Sequence, residues 1–210
     1  MKKKIFAIFA CLLLVMSAGC GKKDTPEPPD TNPPVEAETL QPMAEEEMTQ
    51  FYSDAAEIYA QISTANFDVD TDKKIILDDN KYFYKIDDER FESHDDFYLY
   101  LNQYFTKDCI EKENLMNDDL FTEGKDGYLY LLAAGRGTDI FYAGYSVGEP
   151  AVTENEIKFD VTAYYADEPY DGEIFTEAPE EPVNFETETY TFRLIPEDGT
   201  WKFDSFHLFY

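Results

Sequence analysis

The sequence predicts an α+β fold, in which an antiparallel sheet of about five to seven strands has N-terminal helices packed on one side. Up to about residue 117, apolar residues recur mainly at the three- and four-residue spacing of amphipathic helices. From residue 118 onwards, apolar and polar residues largely alternate, as in half-buried strands. Hydrophobic residues make up 43% of the chain and aromatic residues 16%, which is enough for one domain with a sizeable core.

The N-terminus has the pattern of an export signal. Lys2–Lys4 form a basic segment, and the apolar segment 5–16 is too short to span a bilayer core of about 30 Å. The small residues before Cys20 resemble a bacterial lipobox, in which the cysteine thiol takes a diacylglyceryl group. We expect a lipoprotein signal peptide over residues 1–19 and lipidation of Cys20. An ordinary secretory signal cut nearby is the alternative.

A proline-rich acidic tether is predicted over residues 20–43, because this segment has too few apolar residues to form a core. In an extended polyproline conformation it would reach about 60 Å. The expected location is the outer face of the cell membrane. There the lipid is the only membrane contact, and the folded domain, residues 44–210, extends into the cell wall.

The net charge restricts the possible partners. A formal charge of −28 repels nucleic acid and anionic lipid headgroups, so binding to nucleic acid is not expected. Such a chain favours basic proteins or cations. The other interpretation is that the charge only supports solubility outside the cell.

A first helix is predicted from about Ala44 to Thr64, where an apolar stripe repeats every three or four residues. The aromatic residues of this stripe are interpreted as core, although they could line a ligand pocket. After it, the alternating acids of segment 67–73 match a calcium loop only in part, because Lys73 occupies the position that requires glycine. A solvated loop is favoured there, followed by short strands at 75–77 and 82–86.

Two further helices follow. Ser93 and Asp96 resemble a capping box for a helix that runs to about Phe105, and Thr106 is in position to cap a third helix. Cys109 is expected to be the only free thiol of the mature chain. Because its neighbours are acidic, we interpret it as a buried apolar residue and not as a nucleophile.

The C-terminal half is predicted to consist of strands. The strand at 128–133 is apolar on both sides and should be covered on both faces. Further strands are expected at 140–147 (interrupted by Gly144), 157–165 and 190–194. A hairpin turn at 197–199 then leads to a closing strand with a bulge near Asp204 and Ser205.

The order of several short motifs resembles the IseA family of D,L-endopeptidase inhibitors of Gram-positive bacteria. The resemblance covers about residues 44–210 and is carried by Tyr82-Phe83-Tyr84, Arg90-Phe91 with Ser93, Phe105-Thr106, Asp126-Gly127-Tyr128-Leu129-Tyr130, Gly135-Arg136-Gly137-Thr138-Asp139 and Asp198-Gly199-Thr200-Trp201-Lys202-Phe203. It implies a protein that binds and blocks cell-wall hydrolases with a Cys-His catalytic domain, so the expected partner is a protein.

The acidic loop predicted at residues 167–182 is the candidate contact with such a hydrolase. Charge and loop length, and not the family resemblance, indicate four acidic residues of this loop: Asp167, Glu168, Asp171 and Glu173. A merely solvated loop is the alternative. Arg136 is a further candidate for a partner contact, although an internal ion pair with an acid such as Asp139 is favoured.

Two other classes of function remain as alternatives. One is an extracytoplasmic lipoprotein of the cone-shaped NTF2-like kind that binds a glycan or a small ligand in an aromatic cleft. The other is an enzyme, which the sequence disfavours: His94 and His207 are the only histidines, and neither has an obvious nucleophile nearby in the sequence. We therefore expect no catalytic residues, no metal site and no cofactor.

Overall fold

The computed structural model describes residues 40–41, 43–77, 80–132, 134–135, 137–180 and 184–209. The predicted signal peptide, Cys20, nearly all of the predicted tether and Arg136 lie outside the described residues. The predictions about them therefore stay predictions.

The described chain forms three helices and nine strands. The helices are α1 Glu45–Thr64, α2 His94–Tyr104 and α3 Lys107–Lys112. The strands are β1 Val69–Ile76, β2 Tyr82–Ile86, β3 Phe121–Glu123, β4 Leu129–Leu132, β5 Tyr142–Val147, β6 Ala151–Val152, β7 Ile157–Ala166, β8 Phe185–Glu197 and β9 Thr200–Phe203.

The strands are divided between two antiparallel sheets. One sheet has the order β1-β2-β4-β3, and the other has the order β5-β7-β8-β9, with the short β6 also pairing with β7. All paired neighbours in both sheets are antiparallel. The predicted α+β class with antiparallel strands and N-terminal helices is confirmed. The alternation of apolar residues within each strand did not reveal that there are two sheets.

Helix α1 packs its aromatic stripe against the five-stranded sheet. The ring of Tyr52 lies 5.1 Å from that of Tyr145 on β5 and 5.1 Å from that of Phe192 on β8. Phe51 stacks on Phe203 of β9 at 5.5 Å. The rings other than Phe51 belong to one buried cluster and Phe51 packs against it, so the interpretation of the stripe as core is confirmed.

A second aromatic group joins α2 to the four-stranded sheet. Phe97 of α2 lies 4.6 Å from Phe91 and 5.0 Å from Phe121 of β3, measured between ring centroids. The predicted capping box of α2 is present, since Ser93 and Asp96 exchange side-chain and backbone hydrogen bonds. Thr106 caps α3 as predicted, by accepting a hydrogen bond from the Cys109 N–H at 3.1 Å.

Strand β4 lies between β2 and β3 and is covered on both faces, as its sequence predicts. Leu129 and Leu131 belong to the main core. Tyr130 points to the opposite face and is also buried, and its hydroxyl donates to the carboxylate of Asp126 at 2.9 Å. The three-residue strand β3 was not predicted, because it is too short to show alternation.

Several predicted boundaries are wrong, and β8 begins at Phe185, five residues earlier than predicted. Segment 69–73 belongs to β1 and is not a solvated loop; an irregularity between Asp70 and Lys74 lets this charged edge strand pair with β2. Strand β5 begins at Tyr142, two residues later than predicted. The closing strand stops at Phe203 without a bulge, and the segment after it buries Phe206 and Phe209 outside the sheet.

The β8–β9 hairpin connects the sheet with the helices and with the start of the described chain. Asp198 and Gly199 make the predicted turn, both with positive φ. Lys202 is buried, and its Nζ donates to Asn102 Oδ1 at 2.9 Å and lies 3.5 Å from Glu197 Oε1. On the neighbouring Trp201, the indole N–H donates to the Gln41 carbonyl at 2.8 Å.

Candidate functional site

The acidic loop, residues 167–182, leaves β7 at Ala166 and is described as far as Glu180. Its four candidate carboxylates on Asp167, Glu168, Asp171 and Glu173 are all exposed. None of them forms an ion pair with another residue of the described part of the chain. Their charges are therefore available to a partner.

Backbone hydrogen bonds hold this loop against the outer edge of β5. The N–H of Tyr170 donates to the Ile140 carbonyl at 2.8 Å. Further along, the N–H of Phe175 donates to the Ala143 carbonyl at 3.2 Å, and the Phe175 carbonyl accepts from the Tyr145 N–H at 2.9 Å. The loop thus covers part of an edge strand whose polar groups would otherwise be open.

The close approach of Phe175 depends on a glycine in β5. Gly144 has φ +146°, and a Cβ atom at this position would lie only 2.2 Å from the Phe175 carbonyl oxygen. The Phe175 ring packs 5.5 Å from Tyr164 and 5.6 Å from Phe185. The interruption of the predicted strand by Gly144 is therefore the place where the acidic loop is attached.

Exposed apolar side chains lie beside the acidic loop. Ile140 is 59% exposed, Phe141 is 38% exposed, and Ile174 within the loop is 48% exposed. Sequence reasoning missed Ile140 and Phe141 as surface residues because it assigned them to β5. The available signal was Asp139, a turn-forming residue whose carboxylate accepts the Phe141 N–H at 2.9 Å.

The potential around this surface is negative. The Tyr165 hydroxyl lies 3.4 Å from Glu188 Oε2. Burial, followed by the charge of Glu188 and, less strongly, that of Asp139, raises the pKa of Tyr165 to about 12. A groove of about 340 Å³ between segments 139–141, 165–167 and Glu186 opens at the same place.

We call the surface formed by residues 139–141 and 167–177 the acidic face. It combines exposed carboxylates with exposed apolar side chains on a backbone that is held at several points. This composition suits contact with a basic protein surface, in which apolar groups are covered and charges surround them. The predicted ion pair between Arg136 and Asp139 stays a prediction, since Arg136 is outside the described residues.

The residues considered for catalysis lie elsewhere. Cys109 is buried in α3, and burial, together with the charge of Glu113, raises the pKa of its thiol to about 12. His207 stacks on Tyr190 at 4.7 Å, with Nε2 3.1 Å from Glu188 Oε1. His94 is the first residue of α2. A thiol with this pKa is almost entirely protonated near neutral pH, so it is a poor nucleophile.

A cavity of about 600 Å³ lies between α1, the α3–β3 connection and the end of β4. Its wall includes Ile62, Leu115 and Leu132 together with Lys81 and Glu113. The only aromatic residue that lines it within the described part is Tyr59, so the aromatic stripe of α1 does not form a ligand cleft there.

The motifs behind the family resemblance mainly support the scaffold. Arg90 Nη2 donates to Asp88 Oδ2 at 2.6 Å and to Gln61 Oε1 at 2.8 Å, which ties the β2–α2 connection to α1. Ser93 caps α2. Arg90 and Ser93 form no part of the acidic face, whereas Asp139, the last residue of the motif at 135–139, belongs to it.

Comparison with known proteins agrees with this resemblance. Among the helices that the structure describes, none has the length and apolarity needed to cross a membrane. A search of curated proteins gives no match. The model for the family described as IseA DL-endopeptidase inhibitor matches residues 39–207, which includes every helix and strand given above. The chain therefore belongs to the IseA DL-endopeptidase inhibitor family.

Proposed function

We propose that this protein is an extracytoplasmic lipoprotein that binds and inhibits cell-wall D,L-endopeptidases through its acidic face. The observation that carries the proposal is the acidic loop itself. Its backbone is held on β5, and the carboxylates of Asp167, Glu168, Asp171 and Glu173 are exposed beside Ile174. A loop that is already ordered loses less conformational entropy on binding than a free one, so more of the contact energy becomes affinity.

Inhibition would follow from occupying the substrate groove. Peptidoglycan hydrolases of this type cut next to an acidic D-glutamyl unit, so their grooves accept negative charge. Carboxylates of the acidic loop would take the place of that unit and exclude the substrate. The negative field would also raise the association rate with a basic enzyme, and this effect would weaken as salt is added. The protein would perform no catalysis of its own.

The fold also suits attachment through the N-terminus. Gln41, at the start of the described chain, is hydrogen-bonded to Trp201 on β9. Strand β9 is at one end of the five-stranded sheet and β5 is at the other. With a strand spacing of about 4.8 Å, three steps separate these edges by about 14 Å. Residue 41 therefore lies at the edge of the five-stranded sheet opposite the acidic face.

The first test is a wall-lysis assay with D,L-endopeptidases from the same cell. The chain beginning at residue 20, with Cys20→Ser to remove the lipid, is added in increasing amounts. We expect lysis by at least one Cys-His hydrolase to fall with a saturating dose dependence, and the inhibitor to remain uncleaved. Absence of both binding and inhibition for all the hydrolases of that cell would contradict the proposal.

A second measurement tests the acidic face. The variant Asp167→Asn/Asp171→Asn should bind more weakly, and the dependence of the association rate on salt should become shallower. The control is Asp118→Asn/Asp119→Asn, which removes two exposed charges near β3, outside the acidic face. Equal effects from both variants would mean that only the total charge matters, and unchanged binding in the first would exclude the loop.

The alternative of a ligand-binding lipoprotein would use the 600 Å³ cavity beside Tyr59. A pulldown on purified peptidoglycan, compared with one on a Cys-His wall hydrolase, separates the two functions. Retention by the polymer alone would favour the ligand binder, and retention by the enzyme alone would favour the inhibitor.

A further inference from the structure

Part of the outer edge of β5 is not covered by the acidic loop. Ser146 pairs with Thr162 of β7, and the N–H of Gly148 donates to the Asp160 carbonyl at 2.8 Å. Because backbone groups alternate in direction along a strand, the N–H and C=O of Val147 point away from β7. Within the described residues, no backbone group of another segment pairs with them.

The acidic loop leaves β5 just before this point. Its last hydrogen bond to the strand is the one between Phe175 and Tyr145. If the parallel pairing continued, the N–H of Glu177 would donate to the Tyr145 carbonyl, and this bond is not made in the described structure. A groove of about 660 Å³ opens instead, with Thr176–Ala178 on one side and the first turns of α1 on the other.

The other sheet edges are less suited to accepting a strand. The free edge of β9 is covered at Phe203, whose carbonyl accepts the Thr106 N–H at 2.9 Å. In the edge strand β1, four of the five residues 70–74 are charged. Charged side chains on an edge discourage pairing with a further strand. The free edge of β3 is only three residues long. A groove of about 650 Å³ also lies beside β1 and β3, but its wall includes Lys125.

The charge of this groove indicates what it would accept. Its charged wall residues are Glu45, Glu46 and Glu177, and no lysine or arginine of the described segments lines it. All three acids are exposed. An entering strand would satisfy the Val147 N–H and C=O, and basic side chains on that strand would face carboxylates on both walls.

We infer that the open edge of β5 at Val147 binds a short extended segment with basic side chains, which pairs with β5 as an added strand. This inference rests on the proposed function, because the segment belongs to the inhibited hydrolase. The acidic loop and the β5 edge then form one continuous contact. The loop fills the substrate groove of the enzyme, and β5 fixes the register of a neighbouring enzyme segment through backbone hydrogen bonds.

The test is amide hydrogen exchange by NMR on the Cys20→Ser chain from residue 20, free and bound to the catalytic domain of a hydrolase that it inhibits. We expect the Val147 amide to exchange freely in the unbound protein and at least 100-fold more slowly in the complex. Protection should also appear in one extended basic segment of the enzyme. A complex in which Val147 still exchanges freely would overturn the inference and leave the proposed function standing.

Two other results would also overturn it. Protection of Val147 in the free protein would mean that the edge is already occupied, by the chain itself or by a second copy, and sedimentation analysis would tell which. If no hydrolase binds at all, the proposed function fails and this inference fails with it.

A variant pair tests the same hydrogen bond by affinity. Val147→Pro removes the outward N–H, and proline is tolerated on an edge where the N–H has no partner within the sheet. Val147→Ala shortens the side chain and keeps the N–H. We expect the proline variant to bind the hydrolase about tenfold more weakly than the alanine variant, as for the loss of one backbone hydrogen bond. Equal affinities would contradict strand addition.

Discussion

Replacing Gly144 by alanine should detach the acidic loop from the sheet. The new Cβ would lie 2.2 Å from the carbonyl oxygen of Phe175 and 2.7 Å from its nitrogen, which is closer than a Cβ atom approaches a backbone atom. Both contacts are backbone atoms, so no rotamer change relieves them. Either β5 or the loop must move, and the loop is the less buried of the two.

The expected cost follows from the contacts that are lost. Two backbone hydrogen bonds of Phe175 are broken, each contributing about 1 kcal/mol. The packing of its ring on Tyr164 and Phe185 contributes about 1 kcal/mol more. Alanine at φ +146° adds strain of about 1 kcal/mol. The lower entropy of the unfolded alanine chain offsets about 0.7 kcal/mol, which leaves a net destabilisation of about 3 kcal/mol.

Urea unfolding followed by fluorescence measures this change, because Trp201 is the only tryptophan and is buried in β9. Gly135→Ala is the matched control, since a Cβ there meets no atom within 4 Å. It has the same effect on the unfolded chain without the clash, so it should raise the free energy of unfolding by about 0.7 kcal/mol. Hydrogen exchange then locates the effect, because the Tyr145 amide should lose its protection in Gly144→Ala.

The prediction has a clear contrary outcome. If Gly144→Ala is as stable as Gly135→Ala, or if the Tyr145 amide stays protected, the loop is not attached through Phe175. If the acidic face binds the hydrolase, Gly144→Ala should also bind it more weakly, because the loop is no longer ordered before binding. The carboxylates of the acidic loop are unchanged in this variant.

Three further predictions concern the scaffold. Lys202→Ala should lower the free energy of unfolding by about 3 kcal/mol, because the buried ammonium group that bonds Asn102 is lost together with its packing, and Lys202→Met should cost less; equal urea midpoints for both would contradict this. Cys109, with a pKa of about 12, should react with iodoacetamide at pH 8 only after unfolding, and rapid alkylation of the native protein would refute its burial. Burial raises the pKa of Asp88, but hydrogen bonds from Arg90 outweigh it and lower the pKa below its ordinary value. The stabilisation from Asp88 is therefore present above the unfolded pKa of about 3.9 and is lost as the pH falls through the folded pKa. Asp88→Asn lacks this titrating group. The urea midpoint should therefore fall less between pH 5 and pH 3 in Asp88→Asn than in the original protein.

Local patterns in the sequence were sufficient for the helices and for most strands. The apolar stripe from Met48 to Ile62 repeats at the helical period. Ser93 and Thr106 indicate the starts of the two later helices, because both are capping residues. The turn at Asp198 and Gly199 could also be predicted from its residue types. In each case the decisive interaction joins residues close together in the chain.

Interactions between residues that are far apart in the sequence could not be predicted from local patterns. Segment 69–73 has few apolar residues and resembles a loop, yet it is held by pairing with β2. The division into two sheets depends on which strands meet, and alternation within a strand carries no information about its neighbour. The sequence predicts the acidic loop from its charge and its prolines, and the structure has this segment between β7 and β8. Its attachment through Phe175 and Gly144, residues 31 positions apart, was not foreseeable.

We expect binding and stability to be separable at the acidic face. The backbone of the loop is held by hydrogen bonds, whereas the four carboxylates bond no described residue. In a chain with a net charge of −28, these carboxylates repel one another and their neighbours. Changing all four to amides, in Asp167→Asn/Glu168→Gln/Asp171→Asn/Glu173→Gln, should therefore leave the urea midpoint unchanged or raise it slightly, while binding to the hydrolase is lost. A lowered midpoint would mean that the carboxylates hold the loop in place, and the loss of binding could then be explained by disorder alone.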